Sequence, residues 1–339
     1  MKFSVGYQLS GEDEPPFSGA LGGLLDHVAE VYFPWPDTPS GRAVMAVQDG
    51  CVDWNGRETL ENDLRLFKKR NIKLNLLLNA NCYGRDSLSE HFRNFICSLI
   101  AHLCENIGLD GVTTASLFAA AAVRKEFPAL DVRASVNMRI GTIGAMKMAA
   151  AYFDSFCVQR EFNRDLERLA ELKNWADGNG KKLIMLANSG CFNFCPGQVF
   201  HDNLVAHERE ISGMKNTAGW NPCVCRNYLA DRRAWSALLQ NSWVRPEELV
   251  HYGGLFPLVK LATRMHANPE RVLRAYIEGK FTGNLLDLFE PGFAPLLYPF
   301  IIDNTRFPAD WFRRTTSCSR RCGDCKYCEE VMDAVLVKL

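Results

Sequence analysis

Residues 72–114, "IKLNLLLNANCYGRDSLSEHFRNFICSLIAHLCENIGLDGVTT", decide how this chain folds. The opening apolar run is short and gives way at once to polar residues and glycine, the pattern of a strand covered on both faces. Over "SEHFRNFICSLIAHLCENIG" apolar residues recur at spacings of three and four, the period of a helix with one buried face. "LDGVTT" then supplies another short apolar run. Strand, helix, strand is the unit of a parallel sheet, because parallel neighbours need a crossover and a helix provides it.

The alternation extends in both directions. "KFSVGYQL" leads through "GALGGLLDHVAEVYF" as strand, helix, strand, and "DVRASVN", "FDSFCVQ" and "KKLIMLAN" follow as strands with helices between. "GLFPLVKLA" offers the last strand and "PERVLRAYIEG" its closing helix. Roughly eight strands over about 280 residues predict an α/β protein built as a (β/α)8 barrel, with a doubly wound open sheet as the competing arrangement. The barrel is expected to take residues 1–285. Residues 286–339 start with the proline-rich "EPGFAPLLYPF", end in a cysteine-dense tail, and read as a C-terminal extension.

Lys plus Arg and Asp plus Glu each number 39, so no global field favours nucleic acid or an anionic membrane. The N-terminal residues reach charge and proline too early for a secretory signal, and "SLFAAAAV" is too short to span a bilayer. A cytoplasmic protein without a membrane partner is expected. Thirteen cysteines in such a chain argue against a disulfide scaffold and for metal ligation or thiol chemistry. Cys51, Cys82, Cys97, Cys104 and Cys157 are scattered and read mostly as small core hydrophobes. The others cluster as Cys191/Cys195, Cys223/Cys225 and Cys318/Cys322/Cys325/Cys328.

Barrel chemistry sits where strands end and loops begin. Just past the predicted strands lie "NANCYGRD", "SVNMRIG", "CVQREFNRD" and "LANSGCFNFCP", which bring Asn137, Arg139, Arg160, Glu161 and Asn188 to one mouth. Taken singly these read as solvated loop residues, with Asn163 capping the next helix; their convergence is what suggests a site. In "GCFNFCP", Pro196 suits the first helical position, which makes Cys195 the N-cap and lowers its thiol pKa through the helix dipole. Cys191 in the preceding loop is near enough to share an ion, and "NPCVCR" adds one or two further thiols. His201 is a candidate proton donor or a partner of the cysteines. In the tail, Cys318-x3-Cys322-x2-Cys325-x2-Cys328 has overlapping pairs, which suit a ferredoxin-type grip better than zinc, whose chelating pairs are usually separate. The first three tail cysteines have radical-SAM spacing, but that motif precedes its barrel and here the run comes last.

"QREFNRD" (159–165), "NSGCFNFCPGQVFHDN" (188–203) and "CVCR" (223–226), in that order, resemble the peptidase U32 family, sometimes called collagenase-like. "WVRPEEL", "FPLVKLATR" and "GNLLDLF" extend the resemblance over most of the chain. It implies a barrel-like β/α fold and cysteine-ligated [4Fe-4S] clusters; the three groups of cysteines allow one cluster or two. It also implies an activity like that of relatives that hydroxylate quinone precursors or RNA bases without oxygen, drawing on prephenate. Carried onto this chain, Cys191 and Cys195 match the G-C-x3-C-P cluster motif. Cys225 would be the third ligand with Cys223 competing, and the fourth could come from the tail. The RNA-modifying members carry added C-terminal domains not seen here, and the quinone-pathway members lack this tail.

Three functions follow as expectations. The first is an iron–sulfur hydroxylase or related redox transferase acting on a small molecule or RNA, with a redox partner. Arg139 and Arg160 would bind substrate carboxylates, with Asn137 at the same mouth, while Glu161 or His201 moves protons. The second is a U32-type peptidase, for which Cys191 with His201 is the available nucleophile and base. The third is a non-catalytic RNA- or protein-binding iron–sulfur protein using Arg313, Arg314, Arg320 and Arg321 in "WFRRTTSCSRRC".

Overall fold

Each short apolar run becomes a strand in the computed structural model, which describes residues 1–11, 14–36, 38–42, 53–216 and 218–339; Cys51 lies outside the described residues. The strands are β1 (Lys2–Gly6), β2 (Val28–Pro34), β3 (Lys73–Leu78), β4 (Gly111–Thr114), β5 (Asp131–Ala134), β6 (Ser155–Cys157), β7 (Lys182–Leu186) and β8 (Leu258–Lys260). All neighbours pair in parallel, and β1 pairs with β8 through Lys2–Leu258, Phe3–Val259 and Ser4–Lys260, closing the barrel. The strands are buried almost from end to end because side chains fill the inside and helices cover the outside.

Local chemistry sets the helix limits. Ser89 caps the helix Glu90–Asn106 by accepting from Phe92 N–H, and Ser116 caps Leu117–Glu126 in the same way through Ala119 N–H. Asn268 caps Pro269–Glu278, which stops at Gly279 in the left-handed conformation. Among the described residues no helix is long and apolar enough to cross a membrane, and every cysteine is a free thiol.

The extension adds β9 (Phe300–Ile302) and β10 (Leu336–Lys338), an antiparallel pair. Its anchor is aromatic. Trp243 stacks on Phe289 and on Trp311, at centroid distances of 5.0 and 6.2 Å. The Arg164 guanidinium lies over both indoles and donates to the carbonyls of Leu239 and Trp243. Trp311, Val331, Met332 and Val335 join the same apolar core as the barrel strands.

The barrel interior is polar at its centre. Buried Arg133 donates to both oxygens of buried Glu30, at 2.6 and 2.8 Å, and Ser4 donates to Glu30 at 2.6 Å. Lys260 is also buried and lies over the Tyr32 ring, 3.7 Å from its centroid. Burial pushes the Lys260 ammonium down to about 8. The unfolded chain therefore binds more protons than the folded one between about pH 8 and the ordinary lysine value of 10.5, so stability from this group rises with pH across that window. Lys260→Met is expected to stabilise the fold below pH 8, by an amount of the order of 3 kcal/mol at most, and to lose that advantage above pH 10. Urea unfolding at several pH values measures it, and a pH-independent difference would contradict it.

Candidate functional site

At the C-terminal ends of the strands, the loop after β7 runs through Cys191 to Cys195. Gly190 makes its path possible: a Cβ there would meet the Pro291 carbonyl oxygen at 2.2 Å. Asn188 is wholly buried, holds Ala262 N–H and the carbonyls of Ala262 and Leu288, and so clips β7 to β8 rather than lining an opening. Asn193 N–H on Asn241 Oδ1 and Ser242 Oγ on Asn193 Oδ1 brace the turn between the cysteines.

Two local expectations need correcting. The helix after this loop is Gln198–Ala206 with Gly197 as its N-cap, so Pro196 does not begin it and Cys195 does not cap it. Phe194 takes a left-handed φ of 51°, and a turn from the Cys195 carbonyl to Gln198 N–H comes before the first helical residue. Likewise Asp165, not Asn163, caps the helix Leu166–Gly178. Asn163 is buried, with its amide on the Leu186 carbonyl, because the chain makes another turn before the helix starts.

The structure brings Cys191, Cys195, Cys223 and Cys225 within electrostatic reach of one another. Burial pushes the Cys225 thiol up to about 11, with Cys223, Cys191 and Cys195 adding to it. Cys223 and Cys225 thus both lie close enough to the first pair to feel its charge. Cys318, Cys322, Cys325 and Cys328 interact among themselves: burial, opposed by Arg164 and helped by the other three thiols, raises the Cys328 thiol to about 11. His201 faces Cys223 across 3.9 Å, Nε2 to Sγ. In kind, either set of four thiols fits a soft, thiolate-held group. Among the described residues, however, no three His, Cys, Asp or Glu side chains are spaced as ligands of a single metal ion.

Around the first set lie charges that sequence reading missed. Arg42 bonds Glu290 at 3.3 Å, and Glu290 also accepts from Met265 N–H at 3.0 Å. Burial works against the Arg42 charge, but Cys191, Glu290 and Asp202 together hold it above its ordinary value. Arg264 donates to Ser40 at 3.0 Å, and burial pushes its guanidinium down to about 10. Asn79 accepts from Gly41 N–H and its carbonyl takes the Asn137 amide, so Asn137 is held at the ends of β3 and β5. These partners are hundreds of residues apart or isolated in loops, with no motif to join them.

Arg160 and Glu161 form a short 3-10 turn after β6 and are buried. Arg160 Nε and Nη2 and Arg139 Nη2 are buried without a hydrogen-bond partner, and Arg139 sits at a left-handed φ of 53°. Of the tail arginines, Arg320 donates to the Glu161 carbonyl, Arg314 lies over Tyr327 and Arg313 pairs with Asp310. A hollow of about 830 Å³ opens at the opposite end of the barrel, lined by Lys73, Asp131 and Lys182, where this fold does not place active sites.

Fold and site together define a closed parallel β/α barrel with cysteines and buried arginines at its C-terminal end. The chain is 23% identical over 317 residues to an uncharacterized protease, MJ1657, of Methanocaldococcus jannaschii, spanning 91% of this chain and 88% of that protein. No protein-family model matches it. The solved U32 peptidase Mk0906 superposes with a TM-score of 0.56 at 15% identity, covering 77% of this chain and 92% of the other, a likeness of fold. The chain is thus similar over nearly its whole length to a protein named as a protease, and it shares the fold of a solved U32 peptidase.

Proposed function

We propose that the chain is a redox enzyme that holds a [4Fe-4S] cluster on Cys191, Cys195, Cys223 and Cys225 and acts on an anionic small molecule, as an oxygen-independent hydroxylase or related transferase. One observation carries the reading: two cysteine pairs from separate segments interact electrostatically, Ser242 ties the Arg160 backbone to the turn between Cys191 and Cys195, and Arg160 Nε and Nη2 are buried without a protein partner. Four gathered thiols repel one another once ionised, and a cationic iron–sulfur core relieves that repulsion. Arg160 and Arg139 would take the substrate's carboxylates, and Glu161 or His201 would move the proton.

Anaerobic purification is expected to yield brown protein, with this cluster's iron lost in Cys191→Ala/Cys195→Ala. Protein that is colourless and iron-free when prepared and reconstituted without oxygen would overturn the proposal.

A peptidase is the second reading, supported by the names of the two relatives and by Cys223 and His201 at 3.9 Å, a thiol beside a base. Peptide cleavage that survives complete removal of iron and is lost in Cys223→Ser would favour it.

A further inference from the structure

The tail cysteines lie on a loop clamped at both ends. It leaves the helix Trp311–Thr316 and enters the helix Tyr327–Val335, and both helices are rooted in the core by Trp311, Val331 and Val335. Trp311 stacks on Tyr327 across the base of the loop, with centroids 6.0 Å apart. Within the loop Arg320 adopts a left-handed φ of 59°, a conformation an L-residue enters only at a cost. That conformation sets its N–H on Cys318 Sγ at 3.2 Å, while its guanidinium reaches the Glu161 carbonyl at 3.2 Å. Cys318, Cys322 and Cys328 face a cavity of about 280 Å³, and its far wall includes Phe192, Asn193 and Phe194, the turn between Cys191 and Cys195.

We propose that Cys318, Cys322, Cys325 and Cys328 ligate a second iron–sulfur cluster, self-contained and docked by Arg320 against the loop that carries Arg160 and Glu161. An all-sulfur donor set selects zinc or iron–sulfur. The unbroken C-x2-C-x2-C run, whose pairs overlap instead of standing apart, selects iron–sulfur. Cys318, Cys322 and Cys325 are exposed, whereas the four mouth cysteines are half-buried. The tail cluster is therefore the outward one of the two, across one cavity from the mouth thiols. The proposal does not rest on the mouth cluster being present.

Iron and acid-labile sulfide are counted after anaerobic reconstitution of the full chain, of Cys318→Ser/Cys322→Ser and of Cys191→Ala/Cys195→Ala. Each double variant is expected to keep about half the iron of the full chain, with its own charge-transfer absorption and its own electron paramagnetic resonance signal on reduction. Circular dichroism melts confirm that each variant is folded, and Cys325→Ser, at an exposed position, repeats the tail result with a milder change. Full iron in the tail variants, or zinc in place of iron at the tail, overturns the proposal. So does a folded Cys191→Ala/Cys195→Ala protein without iron. Iron confined to the tail would instead sink the mouth reading and leave this one standing.

Discussion

Replacing Arg133 with leucine is expected to destabilise the barrel by about 3–5 kcal/mol, the cost of leaving one charge of a buried pair alone. Arg133 is the bidentate partner of Glu30 inside the barrel, and both side chains are almost fully shielded from solvent. Burial pulls the Glu30 carboxyl upward, yet Arg133, with Ser4 and Lys260, holds it below its ordinary value. In the parent protein this group thus contributes stability above the unfolded carboxylate range, and the contribution is lost as pH falls through the depressed folded value. In Arg133→Leu the counter-charge is gone, so Glu30 protonates more readily and acid removes the unpaired charge. Denaturant unfolding should therefore show the gap between the two proteins narrowing as pH falls. Glu30→Leu/Arg133→Met should recover most of the loss, since neither charge is then stranded. A gap that does not change with pH would show that lost packing, not charge, sets the cost.

Arg160→Leu is expected to behave in the opposite way. Buried polar groups without partners cost about 1–3 kcal/mol, and Arg160 holds two such nitrogens, Nε and Nη2, so the leucine variant should melt at higher temperature than the parent. The same change should weaken the binding of a small dicarboxylate probe such as malonate by about 10- to 100-fold, the worth of one or two charge-assisted hydrogen bonds. Isothermal titration and thermal melts read the two effects separately. Arg160→Lys keeps the charge and loses the fork, so it should bind weakly but measurably. Equal loss of stability and binding would make Arg160 a structural residue and remove it from the site. A buried, partnerless cation that stabilises nothing is the mark of a group kept for a ligand.

The cysteine loops were legible in part. Cys191, Cys195, Cys223 and Cys225 stand out by spacing, as do the tail four, but which of Cys223, Cys225 and a tail cysteine would complete the first set was not readable. The expected helix start at Pro196 failed because proline's preference for a first helical turn is equally met by the turn that Phe194 sets up with its left-handed backbone. Arg42, Glu290 and Arg264 were invisible, because lone charged residues in loops look alike until the closed barrel brings residues 42, 264 and 290 together.

The sequence by itself determined the eight strands, their order and the helices between them, though not which residue caps each helix. Burial period is a local property, legible within one turn or one strand of chain. Only the tertiary structure decided that Asn188 is a clip, that two Arg160 guanidinium nitrogens are buried without a partner, and that Arg320 of the tail meets the Glu161 carbonyl. Those outcomes depend on which loops meet at the end of a closed barrel, and loop meetings follow from strand order and packing rather than from the residues inside any one loop.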